Sequence, residues 1–429
     1  MIIGECMNNL FKLILIVGVS LYLVSSALAI EYFDINKPGI EKLNISITAK
    51  NSSDIVDLLV KKVRSQLEKT LLFNIVDDTV KSAFNLDISP TNDSKIVAVN
   101  LTGVQDTSFE AITIGVKFRN QEEQYVNLKS AQIGNFLIKN LMGIKGSLGS
   151  IIIWSERKKG ESQNSLTMKR FGSEEQKKVT YNLFSNTGAS WNPKGDAIIY
   201  SAQTASGSKI LLQGFLPLRY KSKQLYFEKG VASSATWGSN GNVYLAKYMG
   251  DRNTDIFEYK VVRSTSGEML AQGRNLTKHS AIETEATLSP DGSQLAYISD
   301  RTGTPQVYLM ELSTKKSKRL TQKGKYNTSP DWSPDGSMIA YTSITDGESA
   351  IFRIAADDRL GKAEQVSPNG MMAESPAWSS DGSMIAFQAK KGLSWKIYYV
   401  LSSGSSATRL TNSKAGVNEY MPSWNSGLN

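Results

Sequence analysis

Cysteine and histidine are almost missing from this sequence of 429 residues, which has one of each, Cys6 and His279. Cys6 lies ahead of an apolar run from Leu13 to Val24, so a chain cleaved after that run carries no thiol. Disulfides, cysteine metal sites and cysteine nucleophiles are then excluded, and a chain this long buries enough apolar surface to fold without such staples. One imidazole leaves little for histidine-based chemistry. There is no G-x-S-x-G phrase, no phosphate loop and no paired acid-base set. The residues call for no catalytic group, no cofactor and no metal. A bilayer-spanning run is also lacking, because Leu13 to Val24 is about 12 residues against the roughly 20 that cross a membrane.

That run has Lys12 before it and Ala27-Leu28-Ala29 after it, the small-x-small pattern of a secretory cleavage site. We therefore expect a signal peptide over 1–29, a mature start at Ile30, a periplasmic location and no transmembrane segment in the mature chain. Met1 to Cys6 holds Glu5 and no basic residue, whereas a start at Met7 gives a conventional basic leader. The net charge is +9, from 49 Lys and Arg against 40 Asp and Glu. The lysines come as scattered pairs, among them Lys61-Lys62, Lys158-Lys159, Lys177-Lys178 and Lys390-Lys391, a pattern of solvated edges and loops rather than of a nucleic-acid surface.

What the sequence does have is a repeat. Ser190-Trp191-Asn192-Pro193-Lys194-Gly195 is echoed by Thr236-Trp237-Gly238-Ser239-Asn240-Gly241, and then by Ser-Pro-Asp-Gly phrases following Leu288, Trp332 and, with a second Ser for Pro, Trp378. A truncated copy ends at Trp424. The anchors at 191, 237, 288, 332, 378 and 424 are spaced 46, 51, 44, 46 and 46 residues apart. A period near 45 with several short strands per unit is that of a β-propeller, whose blades are four-stranded sheets.

Within a unit the proline, aspartate and glycine suit a tight turn. Trp332 then closes one strand, Met338 to Ser343 forms the next, Ala350 to Ile354 the third, and a Leu-Thr phrase ends the fourth, as at Leu276-Thr277, Leu320-Thr321 and Leu410-Thr411. Trp424 supplies a first strand with nothing after it. Ile151 to Ser155 reads as a second strand with no tryptophan phrase before it. Joined, they make a sixth blade and remove the open edges that drive aggregation. The regular recurrence of the tryptophans and turns points to packing, against ligand stacking or calcium binding.

Residues 40–146 lack the repeat. Leu43 to Thr48 alternates as a strand, and Ser53-Asp54 caps a helix with Ile55, Leu58, Leu59, Val63 and Leu67 on one face. Phe73 to Val76, Ile96 to Leu101 and Ala111 to Phe118 read as strands, and Leu128 to Met142 as a second amphipathic helix. The fold expected is mixed: a small α/β domain over 40–146, then an all-β six-bladed propeller over 147–429 closed by a one-plus-three strand clasp.

Size, α/β domain and clasped repeats together resemble the TolB family. Asn140-Leu141-Met142-Gly143-Ile144-Lys145-Gly146 is similar to the family's interdomain linker, and Leu72-Phe73-Asn74 to its helix-to-strand turn. Residues 77–127 match weakly. The resemblance implies a monomeric, non-enzymatic adaptor of the Tol-Pal envelope system, acting in outer-membrane integrity, constriction at cell division and protein import.

The resemblance implies that the propeller binds the lipoprotein Pal, with Thr284 and Glu285 matching the family's Thr-Glu and with Ser329 and Glu374 in comparable places. It further implies that a segment over 30–39, carrying Ile30, Glu31, Tyr32, Phe33, Asp34 and Ile35, binds TolA, its alternation suiting strand addition. Other outer-membrane proteins are further partners; nucleic acid is not. The alternatives are a glycan-binding or peptidoglycan-binding propeller and a periplasmic hydrolase.

Overall fold

A computed structural model describes residues 42–425, apart from 78, 80, 105–108, 119–122, 216–221, 226–230, 249, 251–252, 264–268 and 358–361. The expected signal peptide and the segment Ile30 to Ile35 lie outside the described residues.

The N-terminal unit is a five-stranded sheet of order β2-β1-β3-β4-β5. Its strands are β1 (Leu43–Ala49), β2 (Phe73–Val76), β3 (Phe84–Pro90), β4 (Ile96–Gly103) and β5 (Ile112–Lys117). β1 runs parallel to both neighbours, and the other pairs are antiparallel. Helices α1 (Asp54–Lys69) and α2 (Glu123–Met142) cover one face, over Ile45, Ile47, Leu86, Ile88, Val97, Val99 and Leu101. The opposite face is polar, as period-two alternation requires of a half-buried sheet.

Three sequence expectations change here. The strand β3 was not foreseen, although Phe84, Leu86 and Ile88 alternate, and it lies at the centre of the sheet. The buried face of α1 is Val56, Leu59, Val63, Gln66 and Leu67, while Ile55 and Leu58 are half-buried at its edge. Gln66 is drawn in because its Nε2 donates to the Asn127 carbonyl of α2 at 3.1 Å. Ser53 holds the N-cap position with extended backbone but makes no side-chain cap bond.

The remainder is six four-stranded antiparallel sheets. We number the blades by the inner strand of each: blade 1, Asn418–Trp424; blade 2, Ser185–Trp191; blade 3, Val231–Trp237; blade 4, Glu283–Leu288; blade 5, Tyr326–Trp332; blade 6, Ala373–Trp378. Each inner strand touches the next, and the last touches the first, so the ring is closed. Blade 1 joins Asn418–Trp424 to Ile151–Arg157, Ser165–Arg170 and Gln176–Lys178. The clasp is locked by Trp424 Nε1 donating to Ser150 Oγ (2.6 Å) and by Asn425 bonding Ile151 in both directions (3.0 Å each).

The repeated phrases act structurally. Trp191, Trp332, Trp378 and Trp424 are buried, and the Trp332 indole N–H reaches the Thr287 carbonyl of the preceding blade at 3.2 Å. In the turns, Asp335 accepts from Ser333 Oγ (2.5 Å) and from Ser337 N–H (3.0 Å), while Gly336 takes φ +75°. The Leu-Thr phrase has a double role. Leu320 N–H bonds Val307 O (2.8 Å), and Thr321 Oγ1 accepts from Val307 N–H (3.1 Å), satisfying the third strand where the short fourth strand has ended.

The two ends of the propeller differ. Turns between first and second strands form the lower end, where the α/β domain packs on blades 6 and 1. Ser147 Oγ bonds Asp381 (2.9 Å), Tyr399 Oη bonds Lys69 O (2.8 Å), and Phe171, Tyr399 and Trp424 share one apolar core with Leu67 and Leu148. The upper end, made of the connections into the inner strands and of the hairpins between second and third strands, is covered by no other element among the described residues.

Candidate functional site

The upper mouth of the central channel is lined by the starts of the six inner strands. Every one of them has a register shift against its neighbouring strand, three residues before its closing tryptophan or leucine. The residues there have positive φ: Gly188 (61°), Ser234 (50°), Glu285 (51°), Ser329 (53°), Ser375 (55°) and Met421 (50°). Five of the six are not glycine, so about 1–2 kcal/mol of local strain is held at each by the surrounding ring. Bulges of this kind re-aim side chains and cluster at rims and sites. The residue that follows is Ala189, Ala235, Ala286, Pro330, Pro376 or Pro422. This Ala-or-Pro position is the sequence signal that could have revealed the bulge ring.

All four Pal-site residues expected from the sequence sit at this ring, Glu285 and Ser329 on the bulge and Thr284 and Glu374 one residue before it. All four are half-buried. Glu285 and Ser329 are brought into direct contact: Glu285 Oε2 accepts from the Ser329 N–H across the blade boundary at 2.7 Å. Glu374 is not joined to them. It accepts from Gln388 Nε2 (3.1 Å), whose Oε1 receives the Met421 N–H (2.8 Å) of the next bulge. In the same way Thr342 Oγ1 receives the Ser375 N–H at 2.9 Å. Ile298 occupies the corresponding place in blade 4, and there Glu285 supplies the acceptor instead.

Asp331, two residues beyond Ser329, is a channel residue that sequence reasoning passed over. Its carboxylate accepts from the Trp378 N–H of blade 6 at 2.7 Å. Burial pushes its carboxyl up to about 7 against the pull of the Trp378 and Trp332 N–H groups. Burial also raises Glu285, opposed by Ser329. Glu285 thus lies on the bulge ring and Asp331 below it, one residue before the end of its strand at the lower-end turn. Each is held by backbone amides, and neither is in an ion pair among the described residues.

His279 stands outside this ring. Its Nδ1 accepts from the Ala281 N–H at 3.0 Å, and its own backbone N–H is taken by Asp255. Among the described residues no group of three or more His, Cys, Asp or Glu side chains is arranged to hold a metal ion, and no helix is long and apolar enough to cross a membrane.

A six-bladed ring clasped by its own last strand, with an α/β domain on one end and a bulged, acidic channel mouth on the other, defines a two-part propeller protein. Residues 216–428 match the family described as the TolB beta propeller domain. A Protein TolB homolog from Chlorobium luteolum is 28% identical over 183 residues, 42% of this chain and 39% of that one. The Tol-Pal system protein TolB of Vesicomyosocius okutanii is 34% identical over 71 residues, 17% of this chain and 16% of that one. The matched stretches thus span well under half of those relatives. The crystal structure of TolB from Acinetobacter baumannii superposes with a TM-score of 0.76 at 18% identity, covering 90% of this chain and 98% of that one. The matched propeller region belongs to the TolB propeller family.

Proposed function

We propose that this protein is a periplasmic, non-enzymatic adaptor of the Tol-Pal system that binds the lipoprotein Pal at the upper channel mouth and TolA through the segment Ile30 to Ile35. The observation that carries this reading is the contact of Glu285 with Ser329. Two residues singled out for Pal binding lie together on the end of the propeller that its own α/β domain leaves open. The Glu285 carboxylate, which has no ion-pair partner among the described residues, suits a partner that brings a basic side chain, and this gives specificity through charge complementarity. Supporting roles in outer-membrane integrity and in constriction at division follow from linking these partners. The domain division at 146/147 and the signal peptide over 1–29 belong to the same reading.

The test is a paired pull-down. Glu285→Lys reverses the charge at the mouth and lowers Pal recovery, while Glu285→Gln, which keeps an acceptor for the Ser329 N–H, controls for loss of the brace. Deleting residues 30–36 abolishes TolA recovery and leaves Pal recovery unchanged. Full retention of both partners by both variants refutes the site assignment.

A further inference from the structure

Among the large apolar side chains exposed in the described residues, the three most exposed stand on one sector of the upper end, away from Glu285. Leu393 is 98% exposed, Leu183 82% and Tyr181 77%. Leu393 is at the tip of the hairpin that joins Met384–Lys391 to Ser394–Leu401 in blade 6. Tyr181 and Leu183 are on the connection from blade 1 to blade 2. Between them rises the blade 1 hairpin after Ile151–Arg157. The three loops are tied together. Trp395 N–H bonds Asn418 Oδ1 (2.9 Å), Asn418 pairs with Arg157, and Asn164 at the far side of the blade 1 hairpin bonds Ser185 Oγ (3.2 Å).

The polar residues of this sector are predominantly cationic. Lys158, Lys159, Lys390, Lys391 and Lys414 are all exposed, and none is in an ion pair among the described residues. Lys159 packs its stem on Gly416, which places the Lys158-Lys159 pair beside the loop carrying Lys414. The one exposed acid on these loops is Glu161. Trp395, half-buried directly below Leu393, is cross-strand to Lys390. It has the amphipathic placement that suits a tryptophan to a membrane interface.

We propose that this sector of blades 6 and 1 is a docking surface for an anionic phospholipid bilayer, with Leu393, Leu183 and Tyr181 entering the interface and the lysines lying over the headgroups. Isolated apolar tips on separate loops, ringed by basic side chains, combine the two forces that hold a protein on a membrane surface. The composition argues against a protein partner of acidic character, because lysine is depleted in protein–protein interfaces and no contiguous apolar core joins the three tips. The proposal goes beyond the adaptor reading and does not depend on it.

The experiment is vesicle co-sedimentation of the chain isolated from the soluble extract of expressing cells. It compares vesicles of phosphatidylethanolamine and phosphatidylglycerol with vesicles of phosphatidylcholine. The expected result is salt-sensitive binding to the first and little to the second. Replacing Lys390 and Lys391 by Glu weakens binding about thirtyfold or more, the loss expected for two basic residues near an anionic surface. Leu393→Asn with Leu183→Asn, a pair that leaves the charge alone, weakens it at unchanged salt dependence. These sites are exposed loop tips, so thermal melting of each variant stays at the wild-type value. Equal binding to both vesicle types, or variants that bind as the wild type does, overturns the proposal. Absence of vesicle binding, with an acidic protein retained by wild type and lost by the lysine variant, assigns the sector to a protein partner instead.

Discussion

The turns of the propeller and the wall formed by its inner strands handle carboxylates in opposite ways. At the lower end each Ser-x-Asp-Gly turn wraps its aspartate in local hydrogen bonds. Asp291 is held down to about 2 by the Ser289 hydroxyl and the Ser293 amide and hydroxyl, and Asp335 is lowered by the same groups of its own turn in spite of burial. Along the inner strands Glu285 and Asp331 are enclosed by neighbouring blades, and burial raises both. A turn supplies its own solvent of N–H and O–H groups. A wall made by six separate strands supplies Asp331 with two backbone amides and Glu285 with the amide and hydroxyl of Ser329, too little to offset burial. The turns are thus self-contained fasteners, and the strand wall holds carboxylates whose charge is only partly met.

This contrast gives the protein a stability profile that can be pulled apart experimentally, beginning with what both ends depend on. Trp424→Ala removes the buried indole that packs on Phe171 and bonds Ser150, opening the clasp. It should cost about 3–5 kcal/mol in urea unfolding, the range for a buried tryptophan. A loss below about 1 kcal/mol would show that ring closure does not depend on this blade.

The next effect is pH-dependent and positive. Asp331 has a folded value of about 7 and an unfolded value of about 3.9, so the folded state binds the extra proton between them. Its contribution is fully present below the unfolded value and is lost as pH rises toward 7. Asp331→Asn keeps an acceptor for the Trp378 N–H and cannot ionise. Its melting temperature should exceed wild type by a few degrees at pH 8 and match it at pH 4.

Asp335→Ala works in the reverse direction. The lowered carboxylate contributes above its unfolded value and loses that contribution as pH falls below it. At neutral pH the variant should lose about 1 kcal/mol, as for other side-chain caps of backbone amides, and the difference should shrink on acidification. Finding the same pH slope for Asp331→Asn and Asp335→Ala would collapse the distinction between strand wall and turn.

The smallest expected change is at the domain junction. Lys69 pairs with Glu174 on the surface, and Lys69→Ala should alter the unfolding midpoint by no more than about 0.5 kcal/mol. The apolar contact of Phe171 and Tyr399 with the α/β domain carries the junction instead.

The lower end was readable because its determinants are consecutive. Ser-Pro-Asp-Gly makes its turn from four neighbouring residues, and tryptophans at intervals near 46 counted the blades. Where Asn192 replaces the serine, its Oδ1 still takes the Asp196 and Ala197 amides at 3.0 and 3.1 Å, so the turn survives the change of letters. The upper end was less readable. Thr284, Glu285, Ser329 and Glu374 were reached through family resemblance and not through their own pattern. The bulge ring that holds them uses Gly, Ser, Glu, Ser, Ser and Met, so no one side chain marks all six positions. Within the α/β domain, β3 was overlooked because a single half-buried strand between loops gives no repeat to confirm it.

The sequence by itself determined the number of blades, the turn chemistry and the pairing of the chain's last tryptophan with Ile151 to Ser155, because each rests on local residues or on a period. Only the tertiary structure decided that Glu285 braces Ser329, that Asp331 sits against Trp378 with its proton affinity raised, and that Leu393 and the Lys158-Lys159 hairpin share one rim. Those relations join residues 44, 47 and more than 200 positions apart. They depend on how neighbouring blades close around a channel, and that geometry is set by packing between sheets, not within any one of them.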